Sequence, residues 1–467
     1  MKDYTTISRI YFIGIGGIGM AALAKYYKSK NATVSGYDKT VTSLTKQMES
    51  DGINIHYEDD ISLLDKNAQL VVYTPAVPKE HKELNYYLHN DYEVIKRSAL
   101  LGSITKESFS ICVAGTHGKT TISTMIAYIL RDTGFGCNAF LGGISANYNT
   151  NFWSDANNVS VVEADEYDRS FLQLSPDVAL ISAMDADHLD IYGTKENMQQ
   201  AFVEFSQKLK PGGVLLTSYV LADKDFTSDN HIRYSLENNR ADAFAVNINV
   251  VGGGYEFDVV TKSRTLYGIQ LNMGGMHNIE NAVAAITIAD HLNIHPEKIK
   301  SAVKNFKGVK RRFEYIIPLS NGSKQSSVIF IDDYAHHPQE LNALISGAKS
   351  LFPGRELTII FQPHLFSRTK DFAKEFAESL DQADEVLILP IYPARELPME
   401  GVSANLILNC MKNKNARVIT KEKLMNYIDK DYIKRDKENK LLITAGAGDI
   451  DKLVQPIKNL LLNKNLY

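Results

Sequence analysis

The chain has 467 residues, 44% of them hydrophobic and 23% charged, and a formal net charge of −4. At roughly 100–200 residues per domain, that length predicts about three domains, each large enough to bury a core. The near balance of charge excludes a whole-surface attraction to nucleic acid and leaves room only for a local cationic site.

No apolar run approaches the roughly 18 residues that would span a membrane. The N-terminus, MKDYTTISRIYFIGIGG, runs straight into a strand and a Gly-rich turn, without the apolar core or cleavage site of a signal peptide. Cys112, Cys137 and Cys410 show no CxxC spacing and are too few for a disulfide framework. They read as buried free thiols of a cytoplasmic protein. Nothing in the pattern specifies an oligomeric state.

In chain order, Arg9 to Ile13 reads as a strand, Gly14 to Gly19 as a tight turn, and Met20 to Lys28 as the start of a helix. Ala32 to Tyr37 and Leu70 to Tyr73 are further strands, so residues 1–107 form a Rossmann-like α/β domain. A second α/β unit, residues 108–312, opens with the apolar strand Phe109 to Ala114, a turn at Gly115 to Thr121 and a helix from Thr121 to Arg131. Val159 to Glu163 and Val178 to Ser182 are buried-strand candidates. Ala243 to Val260 reads as antiparallel strands turning at Gly252–Gly254, and Asn278 to Ala289 as an Ala-rich helix. Residues 313–467 hold a third open sheet, with strands at Val328–Ile331, Leu357–Phe361, Glu385–Leu389 and Leu441–Thr444.

The sharpest motif is GTHGKTT, comprising Gly115, Thr116, His117, Gly118, Lys119, Thr120 and Thr121, between an apolar strand and a helix. Glycines let the backbone wrap phosphate oxygens, and the helix N-terminus directs free N–H groups at them. Lys119 is suited to neutralising the β- and γ-phosphates of ATP, and the Thr120 hydroxyl to ligating Mg²⁺. Val113 stands where GxxxxGK[ST] has its first glycine, so the two glycines lie closer together than in the usual P-loop.

GIGGIG, with Gly14, Gly16, Gly17 and Gly19, satisfies GxGxxG after a strand, and Asp38 ends the next strand where a ribose-binding acid belongs. The turn suits NAD, FAD or another nucleotide diphosphate; glycines serving only helix–strand packing are the plainer alternative. EADEYD at Glu163–Asp168 ends a strand of the second unit, and DADHLD at Asp185–Asp190 ends the next. Glu163 and His188 are therefore the candidate metal ligands with Thr120, and Glu166 and Asp187 read as outer-shell or structural acids.

His277 and Asn281, four apart at a helix start, suit either adenine contact or a capped core helix. Arg312, in VKRRFE, is either linker charge or a phosphate contact. DDYAHHP and FQPHLFSRT each follow a strand and precede a helix, so His336, His364 and Arg368 converge on one crevice. Their separate loops and lack of HExxH spacing argue against zinc there.

Taken together, GIGGIGM, GTHGKTT, EADE, DHLD, HNIENA, DDYAHHP, FQPH and GAGDI resemble the Mur ligase family from about Arg9 to Ile450, above all its L-alanine-adding members. The resemblance implies a UDP-sugar-binding first domain, an ATP-binding second domain, and a third that closes over ATP and brings in the amino acid. It implies ATP, UDP-N-acetylmuramate and L-alanine as substrates and Mg²⁺ as cofactor. It also implies Lys119 and Thr120 on ATP and metal, Glu163 and His188 on metal, Asn281 near adenine, and His336, His364 and Arg368 lining the reacting groups. Leu365 departs from relatives that carry Arg there, and neither Lys195 nor Lys208 matches the carbamoylated lysine of later ligases in the family.

Overall fold

The run RIYFI forms strand β1 (Arg9–Ile13), flanked in a five-stranded parallel sheet by β2 (Thr33–Tyr37), β3 (Asn54–His56), β4 (Leu70–Tyr73) and β5 (Val94–Lys96) in the order β3-β2-β1-β4-β5. An interior parallel strand is covered on both faces, which is why it is continuously apolar. Ile10 and Phe12 pack with Met20, Leu23, Leu100 and Ile104, from helices α1 (Ile18–Ser29) and, after α2 (Ser43–Ser50) and α3 (Lys82–His89), from α4 (Arg97–Glu107). Tyr11 and Ile13 face the other way, onto Leu84 and Tyr87 of α3. Each such side chain, fully buried, contributes roughly 1.5–3 kcal/mol.

The chain is seen here in a computed structural model that describes residues 4–185, 189–221, 226–317, 328–394, 396–434 and 439–463. It divides into two compact units, one of residues 1–247, 257–269 and 280–306, the other of residues 248–256, 270–279 and 307–467. No helix among the described residues is long and apolar enough to cross a membrane.

The second sheet contains β6 (Phe109–Ala114), β7 (Asn138–Ser145), β8 (Thr150–Trp153), β9 (Val159–Glu163), β10 (Val178–Ile181), β11 (Val214–Ser218), β12 (His231–Ser235), β13 (Ala243–Val251), β14 (Gly254–Val260) and β15 (Thr265–Leu271). Their order is β15-β14-β13-β12-β11-β10-β6-β9-β7-β8. The two acidic motifs do not follow neighbouring strands: β9 and β10 flank β6 on either side. That arrangement puts both beside the turn after β6, at the point where the chain switches direction across the sheet and where such sheets bind ligands. Helix α5 (Lys119–Asp132) begins two residues earlier than expected, because Gly118, at φ +81°, ends the turn in a conformation that favours glycine.

The third sheet, β16 (Glu314–Tyr315), β17 (Val328–Asp333), β18 (Glu356–Phe361), β19 (Glu385–Ile388), β20 (Ala416–Val418) and β21 (Lys440–Ala445), runs in the order β16-β17-β21-β18-β19-β20. All its pairings are parallel except β16 with β17. Cys112 and Cys137 are buried as expected, whereas Cys410, at the end of the short helix Asn405–Cys410, is exposed.

Helix α4 crosses close to the segment after the EADEYD motif. A Cβ on Gly102 would lie 2.5 Å from the Gln173 carbonyl oxygen and 3.2 Å from its carbon. Helix propensity favours Ala over Gly by about 1 kcal/mol, but overpacking against a backbone costs typically 1–3 kcal/mol. Gly102→Ala should therefore destabilise the protein in chemical denaturation, and a raised midpoint would show that α4 is free to shift away.

Candidate active site

At the carboxyl edge of the first sheet, Gly14 turns at φ +84°, and the Gly14 and Ile15 N–H groups both donate to the Tyr37 carbonyl. Gly16 N–H donates to Asp38 Oδ2 at 2.7 Å. Asp38 thus braces the Gly-rich turn itself. Gly17 is the N-cap of α1 with no side-chain cap and no acid in the first turn, so the helix presents unsatisfied N–H groups there. Gly19 lies against the Arg97 side chain, whose Nη1 would be 2.9 Å from an added Cβ.

The turn after β6 is held by its neighbours. Thr116 N–H donates to the Ala183 carbonyl, Asp185 N–H to Thr116 Oγ1 at 3.1 Å, and Ser182 Oγ to the His117 carbonyl. His117 itself is exposed, 3.5 Å from Asp185. The Lys119 ammonium donates to the Gly115 carbonyl at 2.6 Å and to Glu166 Oε1 at 2.8 Å. Glu166 is 1% exposed, and its second oxygen is buried without a partner. Asn281, on the helix Met276–His291, lies over the turn, its Oδ1 2.8 Å from where a Gly118 Cβ would be. His277, on the same helix, is exposed.

Thr120 Oγ1 donates to Glu163 Oε1 at 2.9 Å, and Gly142 N–H donates to Glu163 Oε2 at 3.0 Å. Burial pushes the Glu163 carboxyl above the usual range, while the Lys119 charge and these two donors pull it back. A hydroxyl and a carboxylate side by side are hard oxygen ligands of the kind Mg²⁺ takes, so Thr120 and Glu163 fit that ion. Among the described residues no cluster of three His, Cys, Asp or Glu is arranged around a metal; His188, the third expected ligand, lies outside the described residues, as does Asp187. Just beyond Glu166, Asp168 and Arg169 hold φ +51° and +60°, two consecutive non-glycine residues in the left-handed region, a costly conformation that the surrounding packing must enforce.

In the third sheet, β17 and β18 flank β21, which brings the loops after them together as expected. The His336 and His364 ring centroids are 6.1 Å apart, and the His364 ring stacks on Tyr392 at 5.8 Å. His336 Nδ1 lies 3.1 Å from the Tyr334 carbonyl and 3.2 Å from Glu340 Oε2. A carbonyl only accepts, so Nδ1 carries the hydrogen and the neutral ring keeps its lone pair on Nε2. Burial, offset in part by Glu340, lowers the His336 pKa below the usual histidine value; burial, then His336 and Arg368, lower that of His364. His364 Nδ1 and Arg368 Nη1 are both buried without a hydrogen-bond partner. Two such orphans in one crevice are expensive unless a ligand satisfies them. Leu365 holds φ +70° as the N-cap of the helix Phe366–Asp371, and Arg312 lies 5.3 Å from the Tyr334 ring centroid.

Glu166, read from the sequence as an outer-shell or structural acid, sits on Lys119, and Glu340, which no sequence motif singled out, sits on His336. The EADE spacing carried Glu166's signal, and the i,i+4 step from His336 carried Glu340's.

Three consecutive stretches match Mur ligase domains: residues 9–109 the Mur ligase family catalytic domain, 113–289 the Mur ligase middle domain, and 311–448 the Mur ligase glutamate ligase domain. The chain is 46% identical to a UDP-N-acetylmuramate–L-alanine ligase of Cytophaga hutchinsonii, over 98% of this chain and 97% of that protein. Its fold matches the crystal structure of UDP-N-acetylmuramate-alanine ligase from Thermotoga maritima with a TM-score of 0.81 at 26% identity, covering 97% of this chain and 99% of that one. A murein peptide ligase from Psychrobacter arcticus shares the fold at a TM-score of 0.64 and 23% identity, over 98% and 99% of the two chains.

Proposed function

We propose that this chain, which belongs to the Mur ligase family, joins L-alanine to the lactyl carboxylate of UDP-N-acetylmuramate in the cytoplasm, splitting ATP to ADP and phosphate in peptidoglycan synthesis. The observation that carries this reading is the 46% identity over nearly the whole chain to an L-alanine-adding ligase. The P-loop beside Glu163 and Glu166 supports the ATP half of the reaction.

A carboxylate does not accept an amine directly, because oxide is a poor leaving group. In the proposed sequence a lactyl oxygen attacks the γ-phosphorus of ATP, the bond to the β–γ bridging oxygen breaks, and ADP leaves. The Lys119 ammonium and the loop N–H groups balance charge on the moving phosphoryl group. Mg²⁺ bound at Thr120 and Glu163 would supply further charge neutralisation there. The amino group of L-alanine then attacks the acyl carbon, and phosphate departs with the C–O electron pair. His336 Nε2 is the base for the alanine ammonium, and Arg368 Nη1, lacking a partner, is suited to the alanine carboxylate.

The test is mass spectrometry of the product from UDP-N-acetylmuramate, ATP, Mg²⁺ and competing amines. L-Alanine should be preferred, with glycine and L-serine poorer by about 10–200-fold, the range one methylene or hydroxyl spans in such pockets. When amine is omitted, hydroxylamine should trap the activated sugar, with ADP formed. A tripeptide beginning with L-alanine that outcompetes the free amino acid would make this a peptide-recycling ligase, and AMP with pyrophosphate would exclude the acyl phosphate.

A further inference from the structure

Helix α4 opens on Lys96 as N-cap and Arg97 as first residue, with no side-chain cap and no acid in its first turn. A cation at the positive end of a helix dipole is unfavourable unless an anion sits there too. Helix α1, whose first turn contains Gly19, likewise has neither side-chain cap nor first-turn acid. The two termini meet through Arg97. A Cβ on Gly19 would come within 2.9 Å of Arg97 Nη1 and 3.5 Å of Cδ and Cζ. The Arg97 guanidinium therefore lies directly against the last glycine of GIGGIG, where any side chain would push it aside.

That guanidinium is poorly neutralised. The Arg97 side chain is 20% exposed, and its ion pair, Nη2 to Asp165 Oδ2, is 3.7 Å long, beyond hydrogen-bond reach, with the Asp165 side chain 45% exposed. A solvent-screened pair of that length contributes little, whereas a largely desolvated cation calls for a close anion. The position also matters. On one side is the turn Gly14–Gly19; on the other is the EADEYD motif, whose Glu163 and Glu166 contact Thr120 and Lys119.

We propose that Arg97 is a binding residue for the anionic acceptor nucleotide sugar, its guanidinium holding the substrate's diphosphate or its lactyl carboxylate between the Gly-rich turn and the phosphoryl-transfer residues. This rests on the function proposed above. A charge-assisted hydrogen bond of this kind is lost with about a 10–150-fold change in affinity.

The experiment is titration calorimetry of the full chain with UDP-N-acetylmuramate and with UDP-N-acetylglucosamine, which has the diphosphate but no lactyl carboxylate. Wild type, Arg97→Gln and Arg97→Lys are compared, with ATP binding and thermal melting as controls. Arg97→Gln should weaken UDP-N-acetylmuramate binding by about 10-fold or more and raise its KM in proportion, with ATP affinity unchanged. Arg97→Lys, which keeps the charge and loses the fork, should lie between. Weakening toward both sugars assigns the diphosphate; weakening toward the muramate alone assigns the carboxylate. A folded Arg97→Gln protein that binds UDP-N-acetylmuramate as wild type does overturns the proposal, and so does wild-type affinity in Arg97→Lys should the glutamine variant not fold. Wild-type protein that binds neither nucleotide sugar overturns the acceptor reading itself.

Discussion

Lys119→Ala should lower product formation on the order of 10³-fold, the scale set by removing charge stabilisation from a transferring group. The same substitution should also lower stability. Lys119 is paired with Glu166, which is almost fully buried and already has one unpartnered oxygen. Deleting one member of a buried pair leaves an uncompensated carboxylate, at a cost of about 3–5 kcal/mol unless it takes up a proton. The activity loss must therefore be separated from unfolding. The double variant Lys119→Ala/Glu166→Gln removes the stranded charge as well, and its melting temperature should recover toward wild type while activity stays at the level of the single variant. Catalysis that recovers with stability would assign Lys119 to holding the turn together; catalysis that stays lost assigns it to the phosphoryl group.

The strands and glycine turns were legible because their causes are local. A buried parallel strand must be apolar on both faces, so RIYFI and FSICVA announce themselves, and the strand Phe109–Ala114 occupies the residues expected of it. The placing of Lys119 at the turn and of Glu163 at a strand end was readable because the glycines and the apolar runs mark where strands stop. What sequence alone did not give is long-range. Nothing local says that β9 and β10 flank β6 instead of lying side by side, since strand order depends on how crossovers pack. The pairing of Lys119 with Glu166 spans 47 residues and follows from that order. Arg97 belongs to no motif in the sequence; its meeting with Gly19 depends on the crossing of α1 and α4. In the third sheet, two loops announced their histidines, but the orphaned nitrogens of His364 and Arg368 emerge only once burial is known.

Glu163→Gln should lower activity by about 10²–10³-fold at ordinary Mg²⁺ concentrations and raise the Mg²⁺ needed for half-maximal rate. Glu163 accepts two hydrogen bonds at once, from the Thr120 hydroxyl and from Gly142 N–H. Gly142 is essential to that arrangement, because a Cβ there would collide with both carboxylate oxygens. Glutamine has the same shape but only one accepting oxygen, so its amide NH₂ must face one of the two donors or turn away from both. It also removes the negative charge that lies beside the Thr120 hydroxyl, where a hard cation takes oxygen ligands. The two effects separate by experiment. Lost charge at a metal ligand is partly offset by more Mg²⁺, whereas a disordered turn is not. A glutamine variant whose rate follows Mg²⁺ as the wild type does would remove Glu163 from the metal site and leave it as a brace between Thr120 and Gly142.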